Sequence, residues 1–144
     1  MEKIVFLDRD GTINEEVIYL HRTEDLKFLP GVPEALRLLK EAGFKLVVVT
    51  NQAGVARGYY TCADVEHLHA YMNEELKKYG AEIDAFYYCP HHPVHGIGIY
   101  KKVCQCRKPG TGMFLQAEER FRIDKAHSYM IGDKLLDVEA GVNY

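Results

Sequence analysis

Four apolar residues in a row, Ile4–Leu7 (IVFL), stop abruptly at Asp8-Arg9-Asp10. A second run, Lys45–Thr50 (KLVVVT), stops in the same way at Asn51-Gln52. Two shorter segments follow, Ala85–Cys89 (AFYYC) and Ser128–Ile131 (SYMI). Short apolar runs with little alternation are the signature of strands covered on both faces, so these segments predict a mostly parallel sheet.

Between the strands, apolar positions recur at helical spacing. A helix over Val32–Ala42 would bury Val32, Leu36 and Leu39, with Pro33 in its first turn and Gly43 just beyond its end. The next, Cys62–Tyr79, follows Thr61, and Asp64 completes a capping-box pattern with it. Its expected buried stripe is Val65, Leu68, Met72, Leu76 and Tyr79, with Gly80 as the stop. A third, Gly112–Phe121, would bury Met113, Phe114, Ala117 and Phe121. Strands alternating with helices predict an α/β fold, an open Rossmann-like sheet flanked by helices, in one domain over residues 1–144. One segment fits neither period: Pro90–Gly110 is irregular and too long for an ordinary connection, so a function or a fixed tether is expected there.

Composition narrows the field of partners. A net charge of −3 gives no electrostatic footprint for nucleic acid. No apolar run nears the roughly 20 residues of a membrane span, and "MEKIVFLDRD" has no signal-peptide core. A cytoplasmic protein with neither nucleic-acid nor membrane partners is expected.

In open α/β sheets ligands bind beyond the carboxyl ends of the strands. Those ends carry Asp8 and Asp10, Thr50 and Asn51, Cys89, and Gly132-Asp133, so reactive residue types from separate strands meet at one rim. Asp10-Gly11 alone would read as a turn. A turn, however, requires neither Asp8 nor the similar "IGDKLLD" at Ile131–Asp137.

The cysteines of the irregular segment have a spacing of their own. Cys89-Pro90-His91 and Cys104-Gln105-Cys106 supply three thiolates and an imidazole, a closed tetrahedral Zn²⁺ set of the structural kind. His92 and His95 are alternatives to His91, which mirrors the doublet spacing best. A zinc-binding loop at about residues 89–106 is therefore expected, with Cys62 outside it. Lys108 lies two residues after Cys106, so the metal is expected to fix that lysine.

In order along the chain, "DRDGT" (Asp8–Thr12), "VVTNQ" (Val48–Gln52), "RKP" (Arg107–Pro109) and "GDKLLD" (Gly132–Asp137) resemble the motifs of the haloacid-dehalogenase-like phosphatases. "CPHHP" and "CQCRKP" resemble the zinc-loop members of that superfamily, and no cap domain is expected because neither insertion site holds enough residues for one. The resemblance implies a phosphatase. Asp8 would be the nucleophile, Asp10 the general acid and then base, and Thr50 and Lys108 would hold the transferring phosphoryl oxygens. It assigns catalytic Mg²⁺ to Asp8, the Asp10 backbone carbonyl and Asp133; for Asp137 a supporting contact and a helix-cap role stay equally open.

The implied substrate is a small phosphorylated sugar with a second phosphate, with histidinol phosphate as the alternative. Contacts to it are expected from Arg9, Glu16, Tyr19, Asn51, Gln52, Arg107 and Lys134, with Arg57 a weaker candidate. Three other readings compete: a phospho-accepting receiver, a nucleic-acid end phosphatase, and a non-catalytic binding module. The first would need its aspartate where Cys89 stands, and the second a basic stripe. The resemblance further implies that family members continue with another strand after "DVEAGVNY". A monomer is expected, with self-association through an exposed "SYMI" edge as the alternative.

Overall fold

The computed structural model describes residues 1–144. Its four strands are β1 (Ile4–Leu7), β2 (Lys45–Asn51), β3 (Ala85–Cys89) and β4 (Tyr129–Ile131). They form one parallel sheet in the order β3-β2-β1-β4. The helices are α1 (Val32–Glu41), α2 (Ala53–Ala56), α3 (Cys62–Lys77), α4 (Gly112–Glu118) and α5 (Leu135–Asn143).

Side-chain alternation along β1 and β2 explains their unbroken apolar runs. Ile4, Phe6, Val47 and Val49 face Met113, Phe114 and Ala117 of α4 and Ala140 of α5. Val5, Leu7, Leu46 and Val48 face Leu36 of α1 and Met72 and Leu76 of α3. Both faces are dry, so neither set can be polar.

Several predicted boundaries shift for local reasons. Ser128 precedes β4 instead of starting it: its hydroxyl accepts the Ile4 N–H (3.0 Å) and donates to the Asp124 carbonyl (2.6 Å). The helix from Cys62 ends at Lys77, so Tyr79 lies past the stripe and is 43% exposed, while Val65, Leu68, Met72 and Leu76 are buried as expected. Thr61 and Asp64 make the capping box, with bonds of 3.1 and 2.9 Å. α4 stops at Glu118, yet Phe121 still turns inward. The four-residue α2 was not foreseen, being too short to show a period.

β4 is an edge strand, and its Tyr129 and Ile131 are 59% and 44% exposed. No helix is long and apolar enough to cross a membrane.

Candidate active site

The chain leaves β1 at the carboxyl rim and turns back on itself. There Asp8 is buried, and Lys108, only 2% exposed, donates its ammonium to Asp8 Oδ1 (2.8 Å) and Asp137 Oδ1 (2.5 Å). Burial raises the Asp8 carboxyl above its ordinary value, with Lys108 pulling the other way. Lys108 itself is held through its backbone. Its N–H donates to Asn51 Oδ1 (2.9 Å), and Asn51 Nδ2 donates to its carbonyl (3.3 Å). Asn51 thus borders the cleft, but its amide is committed to the loop that carries Lys108. Asp137 fills both roles left open for it, since its other oxygen caps α5 by accepting the Lys134 N–H (3.1 Å).

The carboxylates of Asp8, Asp133 and Asp137 lie within 4.8 Å of one another. Two glycines permit this approach. Gly11 has φ +79°, and a Cβ there would lie 2.2 Å from Asp133 Oδ2; at Gly132 it would lie 2.3 Å from Asp137 Oδ2. An all-oxygen set of converging carboxylates suits Mg²⁺, which fits the metal expected here. The Asp10 side chain is outside the set, leaving only its backbone carbonyl for such a role.

Asp10 is gripped instead by a polar network. Its Oδ1 accepts from Arg9 Nε and Asn14 Nδ2 (3.0 Å each). Its Oδ2 accepts from Arg9 Nη2 (3.1 Å) and more weakly from Gln52 Nε2 (3.4 Å). A carboxylate has about four lone-pair positions, so a proton on Asp10 must displace a donor, and Gln52 is the easiest to lose.

Arg9 and Gln52, expected to touch substrate, do not line the cleft. Arg9 is 0% exposed and lies behind Asp10, because alternation at a strand end sends Asp8 and Asp10 one way and Arg9 the other. Gln52 is buried between the Tyr60 hydroxyl (2.7 Å), Arg9 and the Thr50 hydroxyl (3.0 Å). By accepting from Gln52, Thr50 Oγ1 keeps its own proton for the cleft, since its other contact, to the Asn51 carbonyl, is a long 3.5 Å.

Behind Arg9 stands His69, whose Nε2 is 3.2 Å from Arg9 Nη1. No motif in the sequence marks His69, which falls on the buried face of α3 beside Leu68 and Met72. Burial, assisted by the Arg9 charge, lowers its pKa from 6.5 to about 3. As pH falls below 6.5 the unfolded chain binds a proton that the folded chain refuses until about pH 3, so stability is lost across that window. At about pH 5 the loss is about 2 kcal/mol. Urea melts of the His69→Gln variant should therefore show a stability drop between about pH 7.5 and 5 that is smaller by roughly that amount.

The cleft itself has a volume of about 320 Å³. Asp8, Asp10, Thr50, Arg107 and Lys108 line its floor, and Glu16–Tyr19 with Lys134 form the opposite rim. Arg107 Nη1 is buried without a hydrogen-bond partner, a donor waiting for an acceptor. Lys134 Nζ pairs with Glu16 Oε1 across the rim (3.1 Å). Tyr19 adopts φ 56°, and its ring lies 4.7 Å from that of Tyr59. Arg57 does not line the cleft.

The irregular loop folds around a second cluster. The donor atoms of Cys89, His91, Cys104 and Cys106 all lie within 4.8 Å of one another. Tetrahedral zinc would place sulfurs ~3.8 Å apart and sulfur ~3.5 Å from nitrogen. His91 Nδ1 is 3.6 Å from Cys89 Sγ and 3.4 Å from Cys106 Sγ. Cys104 Sγ is 3.4 and 3.3 Å from the sulfurs of Cys89 and Cys106, and those two are closer still at 2.6 Å. The donor set fits zinc in kind and its imidazole spacings match, while the three sulfurs lie closer together than a tetrahedral ion would hold them. His92 turns away, its Nδ1 accepting the N–H groups of Val94 and His95 (3.1 and 2.9 Å). The loop is also pinned to α2 by Ile97 N–H donating to the Ala56 carbonyl (2.7 Å).

A family model described as Polynucleotide kinase 3 phosphatase matches residues 3–136. The chain belongs to this family of haloacid-dehalogenase-like phosphatases. The D-glycero-beta-D-manno-heptose-1,7-bisphosphate 7-phosphatase of Escherichia coli O6:H1 is 50% identical over 136 residues, which cover 94% of this chain and 72% of that protein. The enzyme of the same name from Haemophilus influenzae is 47% identical over 142 residues, covering 99% of this chain and 77% of its own. Among solved structures, the D,D-heptose 1,7-bisphosphate phosphatase of B. bronchiseptica, complexed with magnesium and phosphate, has a TM-score of 0.85 at 34% identity, covering 98% of this chain and 75% of that one. Phosphatase chemistry on this fold thus has relatives close in both sequence and shape.

Proposed function

We propose that this chain removes the 7-phosphate of D-glycero-D-manno-heptose 1,7-bisphosphate, a step toward the activated heptose of lipopolysaccharide. The observation that carries the reading is one cleft in which Asp8, Asp10, Thr50 and Lys108 converge, beside an orphaned Arg107 donor.

Asp8 attacks phosphorus in line, its new P–O bond forming as the bond to the sugar oxygen breaks. Asp10 gives its proton to the departing sugar oxygen, then takes one from the water that cleaves the aspartyl-phosphate and restores Asp8. Thr50 Oγ1 and Lys108 Nζ donate to the equatorial oxygens, where negative charge is greatest at the transition state. Mg²⁺ bound by Asp8, Asp133 and the Asp10 carbonyl would supply the charge that lets an anionic nucleophile approach an anionic phosphate. Zinc at the cysteine cluster would hold the segment from Cys106 to Lys108 in register with β1.

Arg107 and Lys134 suit the second phosphate, while Glu16 and Tyr19 suit sugar hydroxyls. The family model's description points to nucleic acid, but the net charge of −3 favours a small ligand over a phosphate backbone. A monomer is the expected state, and the β4 edge is where a second copy would add.

Phosphate release should be measured with Mg²⁺ on heptose 1,7-bisphosphate, histidinol phosphate and a 3′-phosphorylated oligonucleotide, with Asp8→Asn as blank. The expected result is Asp8-dependent release from the heptose, with the 1-phosphate retained by ³¹P NMR. Preference for histidinol phosphate or the oligonucleotide would reassign the substrate. Silence on all of them would favour a binding module.

A further inference from the structure

His69 is buried, titratable and has no task in the mechanism above. As packing it is unremarked: its ring stacks on Phe86 (4.4 Å between centroids, 15° between planes) and meets Tyr88 edge-on. A leucine or phenylalanine would satisfy that surface equally well. What only the imidazole brings is an acceptor, Nε2, placed 3.2 Å from Arg9 Nη1.

Arg9 is the reason this acceptor matters. Its guanidinium is entirely buried, and Asp10 is its one ion-pair partner. Nε and Nη2 form a two-pronged fork onto the Asp10 carboxylate (3.0 and 3.1 Å). Nη2 also reaches the Leu20 carbonyl and Gln52 Oε1, both at 3.2 Å. Nη1, at the far end of the plane, has His69 alone. A planar group held only at one edge can tilt about that edge; a bond at the opposite corner removes the freedom. A guanidinium cannot accept a hydrogen bond, so His69 must present a bare Nε2 and keep its proton on Nδ1. The low pKa of about 3 keeps it in that neutral form.

We infer that His69 is a positioning residue for the proton shuttle, fixing the plane of the Arg9 guanidinium and through it the direction of the Asp10 carboxyl. The inference rests on the reading of Asp10 as acid and base. It extends the machinery of the site from the cleft to the inner face of α3, where no substrate atom reaches. Groups that face the pair from the packed elements are Asp10, Gln52 and the Tyr60 hydroxyl on the loop side and Phe86 and Tyr88 from β3, so Asp10 is the one charge the fork can steer.

Leaving-group chemistry separates this role from a structural one. An alkyl sugar phosphate needs a proton delivered to its departing oxygen, whereas 4-nitrophenyl phosphate expels a stable anion and needs almost none. The constant kcat/KM reports the steps through leaving-group departure, so it should be measured for both substrates on the metal-loaded protein. His69→Leu should lower kcat/KM for the sugar phosphate about 10- to 100-fold and that for the aryl ester less than about 3-fold. His69→Gln, which keeps a carbonyl acceptor, should recover most of the loss. Arg9→Lys, which keeps the charge but not the fork, should reproduce the split and serves if His69→Leu does not fold. Asp10→Asn must show the same split more strongly. Equal losses on both substrates in the His69 and Arg9 variants, with the split present in Asp10→Asn, would overturn the inference and leave Asp10 as the acid. No split in Asp10→Asn would remove the acid role and the inference together.

Discussion

Asp8→Asn should cost at least about 10⁴-fold in turnover, because an amide oxygen neither forms an acyl phosphate of comparable reactivity nor releases one. The substitution should leave the chain folded, for a reason visible in the site. Lys108, buried at 2% exposure, is shared between Asp8 and Asp137, so removing the Asp8 charge still leaves its ammonium a carboxylate partner. Breaking a buried ion pair is costly when one charge is left alone; here it is not. Phosphate release with a parallel thermal melt checks both halves. A near-normal melt with turnover abolished is the expected pair of results.

The second large effect belongs to the cysteine cluster. Removing zinc, by chelation followed by restored Mg²⁺ or by Cys106→Ser, should destabilise the chain and lower activity together. Structural zinc contributes about 10–16 kcal/mol in small peptides that have no other core. Here Cys89 is already fixed at the end of β3 against Phe114 and Ala117, so the metal is needed only to close the loop onto it. A loss of about 4 kcal/mol is reasonable, equivalent to a Tm lowered by roughly 12 °C in a domain of this size. Activity should fall because Cys106 is joined to Arg107 and Lys108, and Asn51 holds Lys108 at only two backbone atoms. Bound zinc near one equivalent by elemental analysis, with activity lost on its removal, is expected. Full activity of a zinc-free, Mg²⁺-loaded chain would break the link between the cluster and the lysine.

How far the sequence revealed this site follows from what kind of signal each residue leaves. Asp8, Asp10 and Thr50 stand out because they close buried apolar runs and Asp133 because it follows the short, half-exposed β4, and the strand-end rule places all four at one rim. The doublet spacing points to Cys89, His91, Cys104 and Cys106 and favours His91 over His92 and His95, and the structure brings those four donors together as a set that could hold zinc. Arg9 was misplaced because its neighbours in the motif drew it toward substrate, although two-residue alternation already sent it to the other side. His69 belongs to no motif and has no residue of ligand type at metal-binding spacing, so nothing in the pattern marks it. Its place among Val65, Leu68 and Met72 on the buried face of α3 required a buried partner, and that partner was Arg9. Asp137 was ambiguous for a different reason. Cap and lysine contact use opposite oxygens of one carboxylate, and only the folded geometry shows that both are made. Tyr79 misled through period alone, since the helix ends before its last apolar position.

The central claim is that the phosphoryl group passes through the Asp8 carboxylate. Quenching the protein during turnover and reducing it with borohydride converts an acyl phosphate to an alcohol, so a phosphorylated aspartate is read out as homoserine. Peptide mass spectrometry should find homoserine at position 8, dependent on substrate and absent from Asp10 and Asp133. Steady turnover with an unmodified Asp8 under the same quench would contradict the account and point to direct attack by water.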